Sequence, residues 1–177
     1  RFRSHGKPHG DLMVWLGTYK VATRGVELAD NTTVRLDLDN EPQPDAALFI
    51  DSGLGGRVQI SEDDYLEGAP ELIAEVAASS ASYDLGDKKN AYRRNGVQEY
   101  IVWQMFENRL DWFVLQEGEY VALTPDADGV IRSRVFPGLW LSVEALRSGE
   151  MQTVLAVLQQ GLASAEHGAF VQKLSEG

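Results

Sequence analysis

Residues 72–77 read Leu-Ile-Ala-Glu-Val-Ala, an apolar run interrupted by one carboxylate, Glu75. Leu72, Ala74 and Val76 alternate with Ile73 and Ala77, so both faces of an extended segment here are apolar. A strand of that kind is covered on both sides, which places it inside a layered domain. The carboxylate in its middle is costly to bury unless it is paired or binds a cation. Glu75 therefore has two readings. It is either a functional acid, or a strand-end residue or structural ion pair.

The rest of the chain supplies the layers. Leu12, Met13, Leu16 and Tyr19 recur at helical spacing and predict a helix from about Pro8 to Val21, with Pro8 in its first turn and Gly25 beyond its end. Strand-like runs follow at Val26–Ala29, Thr33–Leu38 and Ala46–Ile50, then a loop at Gly53–Gly56. Asp84–Asn95 reads as a helix stopped by Gly96. Four more strand-like runs, Tyr100–Trp103, Leu110–Leu115, Tyr120–Leu123 and Val130–Phe136, come next, with a tight turn at Glu117-Gly118. Met151, Val154, Leu155, Leu158 and Leu162 form an apolar helical stripe near the end. This order predicts an α/β domain of mixed α+β character, with a central mixed sheet flanked by helices. Without regular βαβ alternation it does not fit a doubly wound nucleotide-binding fold.

The 177 residues suit one domain. Residues 1–150 are assigned to it and residues 151–177 to a C-terminal helical tail. Sixteen basic and 27 acidic residues give a net charge of −11, which argues against a binder that uses its whole surface for nucleic acid or anionic membrane. Cysteine is absent, which excludes disulfides, thiolate metal sites and cysteine nucleophiles. No apolar run approaches the roughly 18 residues of a membrane span, and a cytoplasmic protein with no membrane partner is expected. The first residue is Arg1, so natural sequence is expected to precede it.

Pro44-Asp45 stands directly before the Ala46–Ile50 run. An Asp there is ordinarily a turn residue, but it gains interest from Glu75. Two acids at the ends of neighbouring strands can share one hard cation such as Mg²⁺. The segment from Asp84 to Arg94 is the third element. Asp84, Lys88 and Tyr92 are four apart and lie near one face of a helix. Lys88, Lys89, Arg93 and Arg94 place four positive charges in seven residues. A solvated helix face is the plain alternative, and for Asp84 an N-terminal cap.

Other candidates carry less. His5 and His9 have the spacing of a helical metal pair, but Gly6 and Pro8 interrupt a regular helix there and no third ligand follows in the sequence. His167 is expected to be solvated in a polar tail. Ser79, Ser80 and Ser82 lack the Gly-Lys of a phosphate loop, and no G-x-S-x-G nucleophile elbow is present. Trp15, Trp103, Trp112 and Trp140 are expected in core or interface packing.

Taken in order, Pro44-Asp45, Glu75-Val76-Ala77-Ala78-Ser79, Asp84-x3-Lys88-x3-Tyr92 and Gly96-Val97-Gln98-Glu99-Tyr100-Ile101-Val102 resemble a bacterial family of restriction-endonuclease-like proteins. That family is abundant in cyanobacteria and belongs to the PD-(D/E)xK nuclease superfamily. The resemblance runs from about Pro8 to about Leu146, and Pro137–Leu141 fits the family's usual ending. It implies a restriction-endonuclease-like sheet and a Mg²⁺-dependent endonuclease, with Mn²⁺ as substitute, acting on nucleic acid, DNA first. It implies that Asp45 and Glu75 hold the metal, with the backbone carbonyl of Val76 as a further ligand. In the superfamily motif a Lys stands two residues after the Glu, where this chain has Ala77. The resemblance assigns that role to Lys88, making Asp45, Glu75 and Lys88 the catalytic set. Asp84 and Tyr92 match as supporting residues, and Lys89, Arg93 and Arg94 are expected to contact nucleic acid. The family also has a segment before its first helix that often contributes an acid, and no segment of this chain corresponds to it. A nuclease fold that binds without useful catalysis is the competing expectation. A homodimer is compatible with either.

Overall fold

The computed structural model describes residues 1–78 and 84–177, with backbone only for Asp84 and Leu85. A single π-helical turn, Phe2–Gly6, leads without interruption into helix α1, Lys7–Val21. The strands that follow are β1 (Val26–Asp30), β2 (Val34–Arg35), β3 (Ala46–Ile50), β4 (Gln59–Ile60), β5 (Leu66–Glu67) and β6 (Leu72–Ala77). A second π turn, Asp84–Lys88, leads into helix α2, Lys89–Arg94. Then come β7 (Glu99–Gln104), β8 (Arg109–Gln116), β9 (Glu119–Ala122), β10 (Val130–Arg132) and β11 (Trp140–Ser142). Helices α3 (Val143–Ser148), α4 (Met151–Leu162) and α5 (Ala165–Ser175) close the chain.

The central sheet has six strands in the order β1-β3-β6-β7-β8-β9. Only β6 and β7 run parallel, so the sheet is mixed, as the strand pattern predicts. All six residues of β6 are buried, and so are all six of β7. Their parallel pairing is the crossover made through α2, and two covered faces are what such a pair requires. Leu72, Ala74 and Val76 pack with Leu12, Trp15, Leu16 and Tyr19 of α1. Ile73 and Ala77 face the opposite layer, with Tyr92 of α2, Val97 and Tyr100. Glu75 shares the parity of this second set.

Several sequence expectations need correction. The helix expected from about Pro8 to Val21 runs Lys7–Val21, but Gly6 and Pro8 do not interrupt the winding. The π turn bonds five residues back, Lys7 N–H to the Phe2 carbonyl, and winding continues through Gly6 and Pro8. Proline is tolerated in a first helical turn because its missing N–H has no required partner there. The Thr33–Leu38 run shortens to Val34–Arg35, because Asp37 closes a turn by accepting from the Asp39 N–H and the Asn40 side chain. The Val130–Phe136 run stops at Arg132, because the Arg134 and Val135 amides donate to the Glu99 carboxylate instead of to a strand. His167 is buried, not solvated. Its ring lies against Tyr19, Nδ1–H donates to the Leu162 carbonyl at 3.0 Å, and Nε2 lies 2.9 Å from the Thr23 hydroxyl. Apart from these corrections, α4 and α5 carry Val154, Leu158 and Leu174 into the same core as α1. Ser79, Ser80 and Ser82 lie outside the described residues.

Candidate functional site

The sheet register brings the two acids together. Ala46 pairs with Ala74 across β3 and β6, so one step further the antiparallel ladder sets Asp45 across from Glu75. Asp45 is fixed by the strand it faces. Its Oδ2 accepts the Val76 backbone N–H at 2.7 Å. Both acids are nearly removed from water, Asp45 at 8% and Glu75 at 6% exposure. No water shell offsets their charge, so neighbouring groups must.

Helix α2 and the turn before it provide two such groups for Glu75. Lys88 Nζ lies 3.3 Å from Glu75 Oε1, and the Tyr92 hydroxyl donates to the same oxygen at 2.8 Å. Their four-residue spacing puts both on the helix side that faces β6. Burial pushes the Glu75 carboxyl above its ordinary value, and this effect dominates. The Lys88 charge and the Tyr92 hydrogen bond pull it down, while the nearby Asp45 charge pushes it up again. A buried acid beside a second acid is a group whose charge a cation would compensate. The donor set thus fits a divalent ion.

The remaining expected residues are placed as follows. Val76 meets Asp45 through its N–H. The Asp84 side chain lies outside the described residues, and its backbone starts the turn that carries Lys88. Lys89 Nζ sits 3.7 Å above the Phe113 ring, a cation–π contact. Arg93 donates to the Gly118 carbonyl at 3.0 Å and approaches Glu119 at 3.7 Å. Both therefore lean toward the β8–β9 hairpin rather than toward Glu75. Arg94 is exposed. A concavity of about 280 Å³ opens beside Lys88 and Tyr92, and Asp39, Glu41 and Asp87 line it along with them.

Sequence reasoning set aside two residues that the structure brings to Asp45. His5 Nε2 lies 3.5 Å and His9 Nδ1 3.9 Å from Asp45 Oδ1. The signal was their four-residue spacing, discounted for Gly6 and Pro8. The continuous helix restores it, and Asp45 is the third group that the linear sequence does not place beside them.

A mixed sheet with a central parallel pair, flanked by helices, is the fold of the restriction-endonuclease-like class, and it sets two buried acids and the lysine of the turn before α2 side by side. A family model confirms the class: Uma2, described as "Putative restriction endonuclease", matches residues 2–144. The chain belongs to this family. Among solved structures it is similar to one described as a "putative nuclease belonging to DUF820" from Anabaena variabilis ATCC 29413, at a TM-score of 0.60 and 17% identity. That match covers 82% of this chain and 80% of the other, and it bears out the fold. No curated protein matches the chain.

Proposed function

We propose that this protein is a metal-dependent endonuclease that hydrolyses phosphodiester bonds in nucleic acid, DNA first. The observation that carries the reading is the facing pair of buried acids, Asp45 and Glu75, with Lys88 beside the second. Asp45, Glu75 and the Val76 carbonyl would hold Mg²⁺, or Mn²⁺ in its place. Such an ion, when bound, polarises a phosphodiester oxygen and lowers the pKa of a water. The chain's own residues do the rest. Asp45 is held in place by the Val76 N–H. Tyr92 fixes the Glu75 carboxylate through its hydroxyl. Lys88, tethered to Glu75 and partly exposed, reaches outward to orient the attacking water or offset charge developing on the phosphate. Asp84 is a supporting residue in this reading. Lys89 and Arg93, by exchanging their present partners, and the exposed Arg94 would contact flanking phosphates.

One observation favours a second reading, a nuclease fold that binds a partner without useful catalysis. The concavity beside Lys88 carries three acids, and these repel phosphate. One assay separates the two. Supercoiled plasmid, single-stranded DNA and RNA are incubated with the protein in Mg²⁺, in Mn²⁺ and with a chelator. Cleavage that requires the metal supports the nuclease, whereas intact substrates under every condition leave the second reading.

A further inference from the structure

His5 and His9 lie one turn apart on the helix that starts the chain, and their rings stack with centroids 5.5 Å apart and planes within 16°. His9 is the better defined of the two. Its Nε2 lies 2.9 Å from Asp30 Oδ1, at the end of β1. A carboxylate accepts only, so this contact puts a proton on Nε2, and in the neutral ring Nδ1 is then a bare acceptor. That Nδ1 is buried and has no hydrogen-bond partner among the described residues. An unsatisfied buried nitrogen is costly, and here it turns toward Asp45 Oδ1. Bare nitrogen and anionic oxygen have no proton to share and gain nothing from each other directly. A cation between them would satisfy both.

His5 completes the set. The three ligand atoms, His5 Nε2, His9 Nδ1 and Asp45 Oδ1, all lie within 4.8 Å of one another. Two of the three separations are 3.5 and 3.9 Å. Ligands at zinc–nitrogen and zinc–oxygen distances of about 2.0–2.2 Å sit roughly 3.4 Å apart around a tetrahedral ion, so little closure is needed. Asp30 behind His9 is the carboxylate–histidine arrangement that orients metal-bound imidazoles.

We propose that His5, His9 and Asp45 form a binding site for one divalent transition metal, with Asp30 as the residue that positions His9. Two imidazoles and one carboxylate favour an ion of the zinc, iron or nickel type over Mn²⁺ and Mg²⁺, which prefer oxygen ligands. Three protein ligands leave a coordination position open to water or to a substrate oxygen, as in reactive rather than closed structural sites. The site shares Asp45 with the Glu75 set but uses neither Glu75 nor Lys88, and its existence does not depend on cleavage activity.

The test is calorimetric titration of Zn²⁺, Mn²⁺ and Mg²⁺ into tag-free protein, beside His5→Ala, His9→Ala, Asp30→Asn and Glu75→Gln. The expected result is one saturable Zn²⁺ site, tighter than for Mn²⁺ and much tighter than for Mg²⁺. Zn²⁺ binding should weaken at least tenfold in each histidine variant and about 10- to 100-fold in Asp30→Asn. Glu75→Gln should keep saturable Zn²⁺ binding, changed only a few-fold by the loss of a neighbouring charge. Circular dichroism establishes that each variant is folded, and a Zn²⁺-dependent rise in Tm, present in the parent and lost in His9→Ala, gives a second readout. Absence of saturable Zn²⁺ binding by the parent overturns the proposal. So does binding that survives both histidine changes but is lost in Glu75→Gln, which would assign the metal to the Asp45–Glu75 pair and leave the histidines as ion-pair partners.

Discussion

Glu75 and Lys88 divide the work of a polar site inside an apolar layer. Glu75 is held where its charge is least favourable, and Lys88 is the partner that reaches solvent. Removing the ammonium should therefore affect chemistry more than folding. Lys88→Ala is expected to slow cleavage about 100- to 1000-fold, the usual loss for one group stabilising developing charge, and also to lower the unfolding midpoint, because the buried Glu75 carboxylate loses a charged partner. Tyr92→Phe acts on folding and, through the position of Glu75, on cleavage. It deletes a buried hydrogen bond to Glu75 and should cost about 1 kcal/mol in denaturant unfolding. Glu99 is a buried acid of a different kind. It accepts from the Ser133 hydroxyl, the Trp112 indole and the Arg134 and Val135 amides, so it ties the turn after β10 to β7 and β8. Glu99→Gln points an amide NH₂ at some of these donors. A loss of about 1–3 kcal/mol is expected, read as a fall in Tm, with cleavage rate unchanged.

At the scale of elements, α1 and α5 are linked through side chains rather than sequence. The His167 ring of α5 is lodged against Tyr19 and Thr23, at the end of α1. Burial holds this imidazole below its ordinary value, outweighing the opposing hydrogen bond to Leu162. The unfolded chain then takes up the proton first as pH falls below about 6.5, the ordinary imidazole value. Stability contributed by His167 is fully present above that pH and is lost as pH falls through the lower, folded value. Chemical denaturation from pH 8 to pH 5 should show this slope in the parent and a shallower one in His167→Gln. An identical slope in both proteins would remove His167 from the account.

The elements also show what was legible in the sequence. The β6 run, its two faces and the α2 charge pattern could be read because burial on both sides leaves an unbroken apolar signature. Strands β2 and β10 came out shorter than the apolar runs suggested, since Asp37 and Glu99 draw backbone amides out of the ladder. The His5–His9 pair was misjudged for a local reason, a proline that the preceding π turn accommodates. Its third partner was out of reach for a general reason: Asp45 is brought there by pairing of β3 with β6, and no spacing encodes that. His167 failed similarly, because its burial depends on α5 folding back on α1.

Across the whole molecule, the net charge of −11 sets a boundary on how nucleic acid is approached. Uniform attraction to phosphate is excluded, so under the proposed function the contact would be local and assisted by the bound cation. No helix among the described residues is long and apolar enough to cross a membrane. The central claim is that the facing acids at the β3–β6 junction form a reacting centre, and the most direct measurement compares parent and Glu75→Gln in the same Mg²⁺- and Mn²⁺-supported cleavage assay, with Tm recorded for both. The account predicts cleavage by the parent and at least a 100-fold loss in Glu75→Gln, with Tm equal or higher because a costly buried charge has been neutralised. Equal cleavage by the two proteins would contradict it.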